Sequence, residues 1–247
     1  MIGVIVLTIL VFVTWLLISN KLVRYILGTL STLCLLILVI GIVANMNSHW
    51  GMKKETVTTK NEQIYTAGQK RSPAHILIAN EIGNKSNNYV MAYRNHTNDD
   101  KPKAHFKPNT DKSHLAESVK KTARYQQKNV DKATVTTKKT YWTWKSSWYQ
   151  HLFSFNGDSR ELITQKTTVT IPKDTWVVLN AHQLKQLQKQ STSSNAQQQK
   201  AQKAEMAKKM ASYQQQHSNV SKQQMKDYQQ HLMSEMAVKQ IKQQLKN

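Results

Sequence analysis

The chain has 247 residues, a formal net charge of +21 and a single cysteine, Cys34. One cysteine excludes a disulfide within the chain and any zinc site built from several thiolates. The charge favours an anionic counterpart such as lipid headgroups, a cell-wall polymer or nucleic acid, although a solvated surface without a dedicated partner would have the same composition.

Two uncharged apolar segments, residues 2–19 and 26–44, begin the chain. Each is close to the roughly 20 apolar residues that cross a bilayer. Segment 20–25 has room only for a tight turn, and backbone groups in lipid need internal hydrogen bonds. The sequence therefore predicts a transmembrane helical hairpin within residues 1–50. A cleaved signal peptide is disfavoured because residues 1–10 contain no Lys or Arg.

The orientation of this hairpin follows from the charges that flank it. Lys21 and Arg24 lie between the spans and favour the cytoplasmic side, which places both termini outside. Lys53 and Lys54, just after the second span, favour the opposite orientation. Trp50 is predicted to lie at the membrane interface. Neither span contains an ionisable side chain, which is typical of an anchor or docking element and not of a conduction path.

Residues 53–180 are rich in Thr, Val, Ile and Tyr and are predicted to form a small β-rich domain. The segment 96–114 has two prolines, many charges and no period, so it is predicted to be a mobile loop. In β-strand 162–171, Ile163, Thr167, Val169 and Ile171 should share one face. The predicted strands are 56–66, 75–79, 89–94, 133–145, 162–171 and 176–179.

Residues 181–247 form a tail that is rich in Gln, Lys, Ala and Met and contains neither Pro nor Gly. This composition favours helix, with Ser221 and Gln224 as a capping box and a break near 191–195. The apolar stripe is thin. A weak coiled coil, a helix docked on a partner, and a partly disordered extension all fit it, and the first would allow a homo-oligomer.

A run of aromatic residues interleaved with lysines is the candidate contact surface for a polyanion or partner. Aromatic rings could stack on sugars or bases while the lysines hold phosphates. Ordinary packing in the β domain, or a position at the membrane interface, would use the same residues. The candidates are Lys138, Lys139, Trp142, Trp144, Lys145 and Trp148.

The sequence predicts no catalytic, cofactor-binding or metal-binding residues. Ser118 and Lys121 match a Ser-x-x-Lys pattern, but the Lys-Thr-Gly companion of that motif is missing from the chain. The His and Asp residues of segment 96–114 lack the spacing of a closed metal site. We therefore expect a non-enzymatic protein with no small-molecule substrate.

Several short motifs resemble one known family. They are GIVANM at 41–46, HWGMK at 49–53, QIYTAG at 63–68, Ser72-Pro73, YRN at 93–95 and TWV at 175–177. They are similar to domain of unknown function family 4811, two-pass membrane proteins of lactic-acid bacteria, over nearly the whole chain. The resemblance implies a Gram-positive cell membrane and names no activity. It also implies genomic neighbours of the multidrug-exporter type.

The sequence as a whole predicts a membrane-anchored α+β protein with an N-terminal transmembrane helical hairpin, a small all-β extracytoplasmic domain and a C-terminal helical tail. The expected function is that of a non-enzymatic accessory protein of the cell envelope that docks with lipid or an integral-membrane partner, for instance an exporter. The alternative is an extracytoplasmic module that binds anionic wall polymer or nucleic acid through Trp142 to Trp148.

Overall fold

The computed structural model describes residues 2–108, 111, 115–154, 157, 159–190, 196–217 and 219–245. The chain is an α+β protein with apolar helix at its N-terminus, a sheet-rich body and helix at its C-terminus. It divides into two compact units. The first comprises Met1–Val57 with Lys139–Gln165, and the second comprises Thr58–Lys138 with Lys166–Asn247. The predicted break at 191–195 lies outside the described residues.

The secondary structure elements follow each other in a mixed order. The helices are α1 (Ile2–Leu16), α2 (Lys21–Ser48), α3 (Leu115–Val119), α4 (Ser147–Phe153), α5 (Ala181–Gln190), α6 (Ala196–Gln216) and α7 (Lys222–Gln244). The strands are β1 (Met52–Thr58), β2 (Glu62–Gln63), β3 (His75–Glu81), β4 (Tyr89–Tyr93), β5 (Lys103–His105), β6 (Lys121–Lys128), β7 (Thr134–Trp144), β8 (Arg160–Pro172) and β9 (Trp176–Leu179).

Helix α2 begins earlier than the sequence predicts. The side chain of Asn20 accepts hydrogen bonds from the backbone N–H groups of Leu22 and Val23, so it caps the helix and brings Lys21 and Arg24 into the first turns. Among the described helices, only α2, with 28 residues, is both long and apolar enough to cross a membrane. Helix α1 is apolar but shorter, at 15 residues.

Helices α1 and α2 pack against each other through polar and small residues. Thr14 and Ser31 share a buried hydrogen bond of 3.0 Å, and the indole of Trp15 donates to the Thr32 hydroxyl at 3.2 Å. Gly28 lies under the Trp15 ring, where an added Cβ would be only 2.7 Å away. Hydroxyl pairs and a glycine at the contact are the means by which helices associate without a hydrophobic driving force.

Two sheets supply the β structure. One has the strand order β1-β7-β8-β6, with β2 also paired to β7, and the other has the order β5-β4-β3-β9, in which β3 and β9 run parallel. Thr167, Val169 and Ile171 of β8 are all buried, which confirms the predicted face of that strand. The main core of the second unit forms around them and includes Leu77, Met91 and other apolar residues.

The C-terminal helices are joined to each other and to the second sheet. Tyr213 of α6 stacks on Tyr228 of α7 with ring centroids 3.8 Å apart. On α7, Val238 is buried in an apolar cluster with Val177 and Leu179 of β9. The predicted capping box at Ser221 is confirmed, with both reciprocal hydrogen bonds to Gln224 present. The apolar side of α7 therefore packs against other parts of the same chain.

Four elements lie where the sequence predicts none. Strand β5 falls inside segment 96–114, which the sequence assigns to a loop, and pairs antiparallel with β4. Strand β6 and helices α3 and α4 are absent from the predicted elements. In the sequence of β6, KTARYQQK, only Ala123 and Tyr125 alternate toward the core, which is too short a pattern to predict a strand.

Candidate functional site

The candidate site lies where helix α2 ends and the chain turns into β1. His49 closes the helix in the left-handed conformation, with φ of 54°, and its N–H bonds to the carbonyl of Asn45 at 2.8 Å. The Asn45 side chain donates to the carbonyl of Trp50 at 2.7 Å. Gly51 follows with φ of 87°, a backbone conformation that glycine adopts without strain. These hydrogen bonds fix the backbone at His49 and Trp50, whose rings take part in the site.

Helix α4 packs against this end of α2. Phe153 is only 4% exposed and lies against Gly41, where an added Cβ would come within 3.1 Å of its ring. Trp50 contacts both α4 rings, with centroids 5.6 Å from Tyr149 and 5.6 Å from Phe153. We call Trp50, Tyr149 and Phe153, together with His49 and Trp142, the exit cluster.

Trp142 of β7 completes the exit cluster. Its ring stacks on His49 with centroids 4.4 Å apart and an interplanar angle of 13°. The ammonium group of Lys54 lies 5.1 Å from the centroid of the same ring, a cation–π contact. The backbone N–H of Lys145, just after β7, donates to the carbonyl of Gly51 at 2.9 Å. The strand and the helix exit are thereby held together.

Charged groups surround the aromatic core of this cluster. His49 is 3.8 Å from the carboxylate of Glu161. On the face of β7 opposite Trp142, the guanidinium of Arg160 lies 4.6 Å from the ring centroid of Tyr141. Lys54 adds a further positive charge beside Trp142. Aromatic rings and basic groups side by side suit a boundary between apolar surroundings and water, where each ring is partly buried and each charge remains hydrated.

The structure does not assemble the predicted contact residues on one face. Side chains alternate along β7, so Lys138, Trp142 and Trp144 point to one side of the strand and Lys139 points to the other. Lys145 follows the strand. Trp148 lies on α4 and is 69% exposed. The predicted topology residues Lys21 and Arg24 lie in the first turns of α2, and Trp50 lies just after its end.

Sequence reasoning did not predict which residues of the site meet. His49 and Lys54 lie about a hundred residues before Tyr149 and Phe153, and the two pairs come together only through the fold. One signal was readable: the SWYQHLF sequence of α4 has apolar residues at positions that fall on one face of a short helix.

These features define a class of protein: an α+β chain with a pair of apolar helices at its N-terminus and an aromatic, basic cluster at the end of the second helix. The particular family follows from its sequence. The chain belongs to the family Domain of unknown function (DUF4811), whose profile matches residues 20–187, from the cap of α2 into α5. No curated protein and no solved structure matches the chain.

The first prediction concerns the close contact at Gly51. A Cβ at this position would lie 2.7 Å from the ring of Tyr149, whereas at Gly157, which has a similar positive φ of 74°, it would meet nothing within 4 Å. Both Gly→Ala changes strain the backbone by about 1 kcal/mol, but Gly51→Ala also overpacks the cluster by about 1–3 kcal/mol. We expect a lower thermal midpoint for Gly51→Ala than for Gly157→Ala.

The measurement is thermal unfolding of the full chain in non-ionic detergent, followed by near-ultraviolet circular dichroism. Gly157→Ala is the matched control because it belongs to the same unit and carries the same backbone strain. Equal midpoints for the two variants would show that Tyr149 does not pack against Gly51.

Proposed function

We propose that this protein is a two-pass, membrane-anchored, non-enzymatic accessory protein of the cell envelope. In this proposal α1 and α2 cross the bilayer and the basic body lies outside the cell. The observation that carries it is the position of aromatic residues at both ends of α2, with apolar side chains between them. Trp and Tyr are enriched at both membrane–water interfaces, where their rings are half wet.

The length of α2 matches this arrangement. From Tyr25 to the end of the helix at Ser48 the rise is about 35 Å, close to the roughly 30 Å hydrocarbon core plus part of the headgroup layers. At the start of α2, Trp15 meets Tyr25 edge to face with centroids 6.0 Å apart. At the other end lies Trp50 with the rest of the exit cluster. A set of aromatic residues would therefore lie at each of the two membrane–water interfaces.

The outward surfaces of the two helices also support lipid as their surroundings. Phe12 is 62% exposed and Leu16 is 72% exposed, and most outward positions of α1 and α2 are apolar in the same way. Soluble monomers rarely expose a contiguous apolar patch of more than a few hundred Å². Lipid would cover these side chains without any rearrangement of the helix pair.

Helix α1 is shorter than a full span, at about 22 Å for its 15 residues. Leu17 extends the apolar sequence beyond the helix and is also exposed. A span shorter than the bilayer core is accommodated by local thinning or by the flanking residues, at modest cost. Its buried hydroxyl pair with α2, Thr14 to Ser31, supports its place beside α2 in lipid.

Helix α4 would be a third membrane contact. Leu152 approaches Gly3 and Phe153 packs on Gly41, and both glycines belong to the apolar parts of α1 and α2. If those parts lie in hydrocarbon, α4 lies at the outer edge of the same layer. Trp148 is exposed on this helix, and an indole at the headgroup level is in a favourable environment.

Orientation and partners follow from charge. Lys21 and Arg24 at the start of α2 favour the cytoplasmic side, so the body that carries most of the +21 charge would lie outside. There the lysines could meet anionic lipid or wall polymer. The helix pair would dock an integral-membrane partner, for instance an exporter, in the cell membrane of a lactic-acid bacterium.

The alternative role as a polyanion-binding module through Trp142 to Trp148 has less support. His49 already stacks on the Trp142 ring, and Lys54 lies over it, so this indole is not free to stack on a sugar or a base. Trp148 is the exposed aromatic of the stretch, and its neighbours on α4 contact the apolar helices. The position of α4 therefore favours lipid over nucleic acid as the partner of Trp148.

The second prediction tests the orientation. Protease added to intact protoplasts should digest the C-terminal region of the full chain, detected with an antibody to a C-terminal tag. Lys21→Gln with Arg24→Gln should increase the protected fraction, because it removes the charges that hold the turn inside. Lys53→Gln with Lys54→Gln is the matched control, with the same loss of charge and no increase in protection. Full protection of the unaltered chain would contradict an outside body.

The third prediction tests the membrane contact of α4. A spin label at Trp148→Cys, in a Cys34→Ser background, should show higher oxygen than nickel-chelate accessibility in reconstituted vesicles, because it lies among lipid. The control is Val119→Cys on α3, an even more exposed apolar position that belongs to the second unit. A label at 148 that is as accessible to the chelate as the one at 119 would rule out this contact.

The fourth prediction tests the accessory role. Mild crosslinking of intact cells, followed by purification in detergent, should recover the full chain with an integral-membrane protein. A control chain in which α1 and α2 are replaced by an unrelated two-span hairpin should lose that partner, because the docking surface is then gone. If neither chain recovers any envelope component, the protein is not an accessory subunit.

A further inference from the structure

A cleft of about 290 Å³ in the second unit contains an unusual pair of nitrogen atoms. In the described part of the chain, three buried side-chain nitrogens have no hydrogen-bond partner, and two of them, Nε of Arg94 and Nδ1 of His75, belong to residues that line this one cleft. An unpaired buried polar group destabilises the folded protein. Such groups are few in native proteins, so a pair at one cleft marks a candidate binding site.

Arg94 is held so that part of its buried guanidinium group has no hydrogen-bond partner among the described residues. Its Nη1 donates to the carbonyls of Thr66 and Gly68, and its Nη2 donates to the carbonyl of Asp100 at 3.5 Å. A guanidinium has five N–H donors in a fixed planar fork. Three are used, and the remaining two, on Nε and Nη2, have no hydrogen-bond partner within the described part of the chain; Nε is also buried, so an anion reaches it only where the lining of the cleft gives way. A planar pair of N–H groups matches the two oxygens of a carboxylate or phosphate.

The charge of Arg94 has no acidic side chain to balance it among the described residues. The side chain is only 6% exposed, and its recorded partners are three backbone carbonyls. A buried charge without a counter-ion is costly, and an anion in the cleft would offset that cost. Lys132 also lines the cleft and adds positive charge. Lys70 lines it too, but its ammonium group lies 4.0 Å from the carboxylate of Asp100, and Asp131 is an acidic residue of the lining.

His75 can contribute a neutral donor. Its ring lies against Trp176 with centroids 5.4 Å apart, and burial lowers the pKa of His75 below its usual value. The ring is therefore neutral at physiological pH and carries one proton, which Nδ1 can donate to an anionic oxygen. It lies in β3, a strand of the second sheet, so its position is set by the core and not by a loop.

We propose that the cleft between Arg94, His75, Lys70 and Lys132 binds a small oxyanion, either a carboxylate or a phosphate group. The unpaired edge of the Arg94 guanidinium makes the paired contact, His75 adds a third donor and the two lysines attract the anion. The cleft volume is at the lower end of small-molecule sites, which suits a compact anion. This site is independent of the membrane contacts of α1, α2 and α4.

The fifth prediction tests this site by calorimetric titration of the full chain in non-ionic detergent at constant ionic strength. Three probes separate the sources of the anion: inorganic phosphate, succinate and the water-soluble dihexanoyl phosphatidic acid. We expect saturable binding of at least one probe beyond the response to chloride. The preferred probe identifies the source as free phosphate, a carboxylate or a lipid headgroup.

Variants distinguish the site from the general positive charge of the protein. Arg94→Lys keeps the charge but loses the paired donors, so affinity should fall roughly 10- to 100-fold. Lys132→Gln should weaken binding roughly two- to fivefold, because an exposed charge contributes less. Lys128→Gln, which removes the same charge outside the cleft, is the matched control and should leave affinity unchanged.

Arg94 also supports the Thr66–Gly68 backbone, so Arg94→Lys could lower stability. His75→Phe keeps a ring against Trp176 but removes the nitrogen, and it should weaken binding while the thermal midpoint stays close to that of the unaltered chain. Responses to all three probes that equal the response to chloride would overturn the proposal. Equal affinities for Lys132→Gln and Lys128→Gln would also overturn it.

Discussion

The contact of Phe153 with Gly41 determines how the first unit is built. A Cβ on residue 41 would lie 3.1 Å from the ring, closer than ordinary van der Waals contact, so the glycine lets α4 approach the backbone of α2 this closely. Trp50 then packs on the same ring, and His49 stacks on Trp142 of β7. Residues about a hundred positions apart in the chain are thereby fixed at the end of one helix, and the proposed membrane contact of α4 depends on this packing.

Local patterns predicted the strands that carry their own signal. Strand β9 has the predicted bounds, and β8 buries the predicted alternate residues because β-branched side chains with a period of two define a face without reference to any partner. Strand β6 could not be predicted, since its Lys, Arg and Gln residues form a strand only beside β8. The start of α2 was placed too late because the Asn20 cap was not considered beside the charges that follow it.

The candidate site was predicted in composition but not in geometry. The sequence identified the aromatic and basic residues of positions 138–148. In the structure, strand alternation and the turn into α4 point their side chains to different sides. Their partners, His49, Trp50 and Lys54, come from the opposite end of the unit's sequence, and a single sequence contains no record of such contacts. The cleft at Arg94 was missed for the same reason: its unpaired donors become evident only when each hydrogen bond is traced.

The parallel pairing of β3 with β9 has a consequence for the order in which the protein matures. His75 is aligned with Trp176, and α7 covers the same strands through Val238. Closing a loop of that length is entropically costly and slow compared with forming a hairpin. The second unit therefore cannot complete its core during synthesis of its first half. Its early strands must wait, with an open edge, until the ribosome has released β9 and α7.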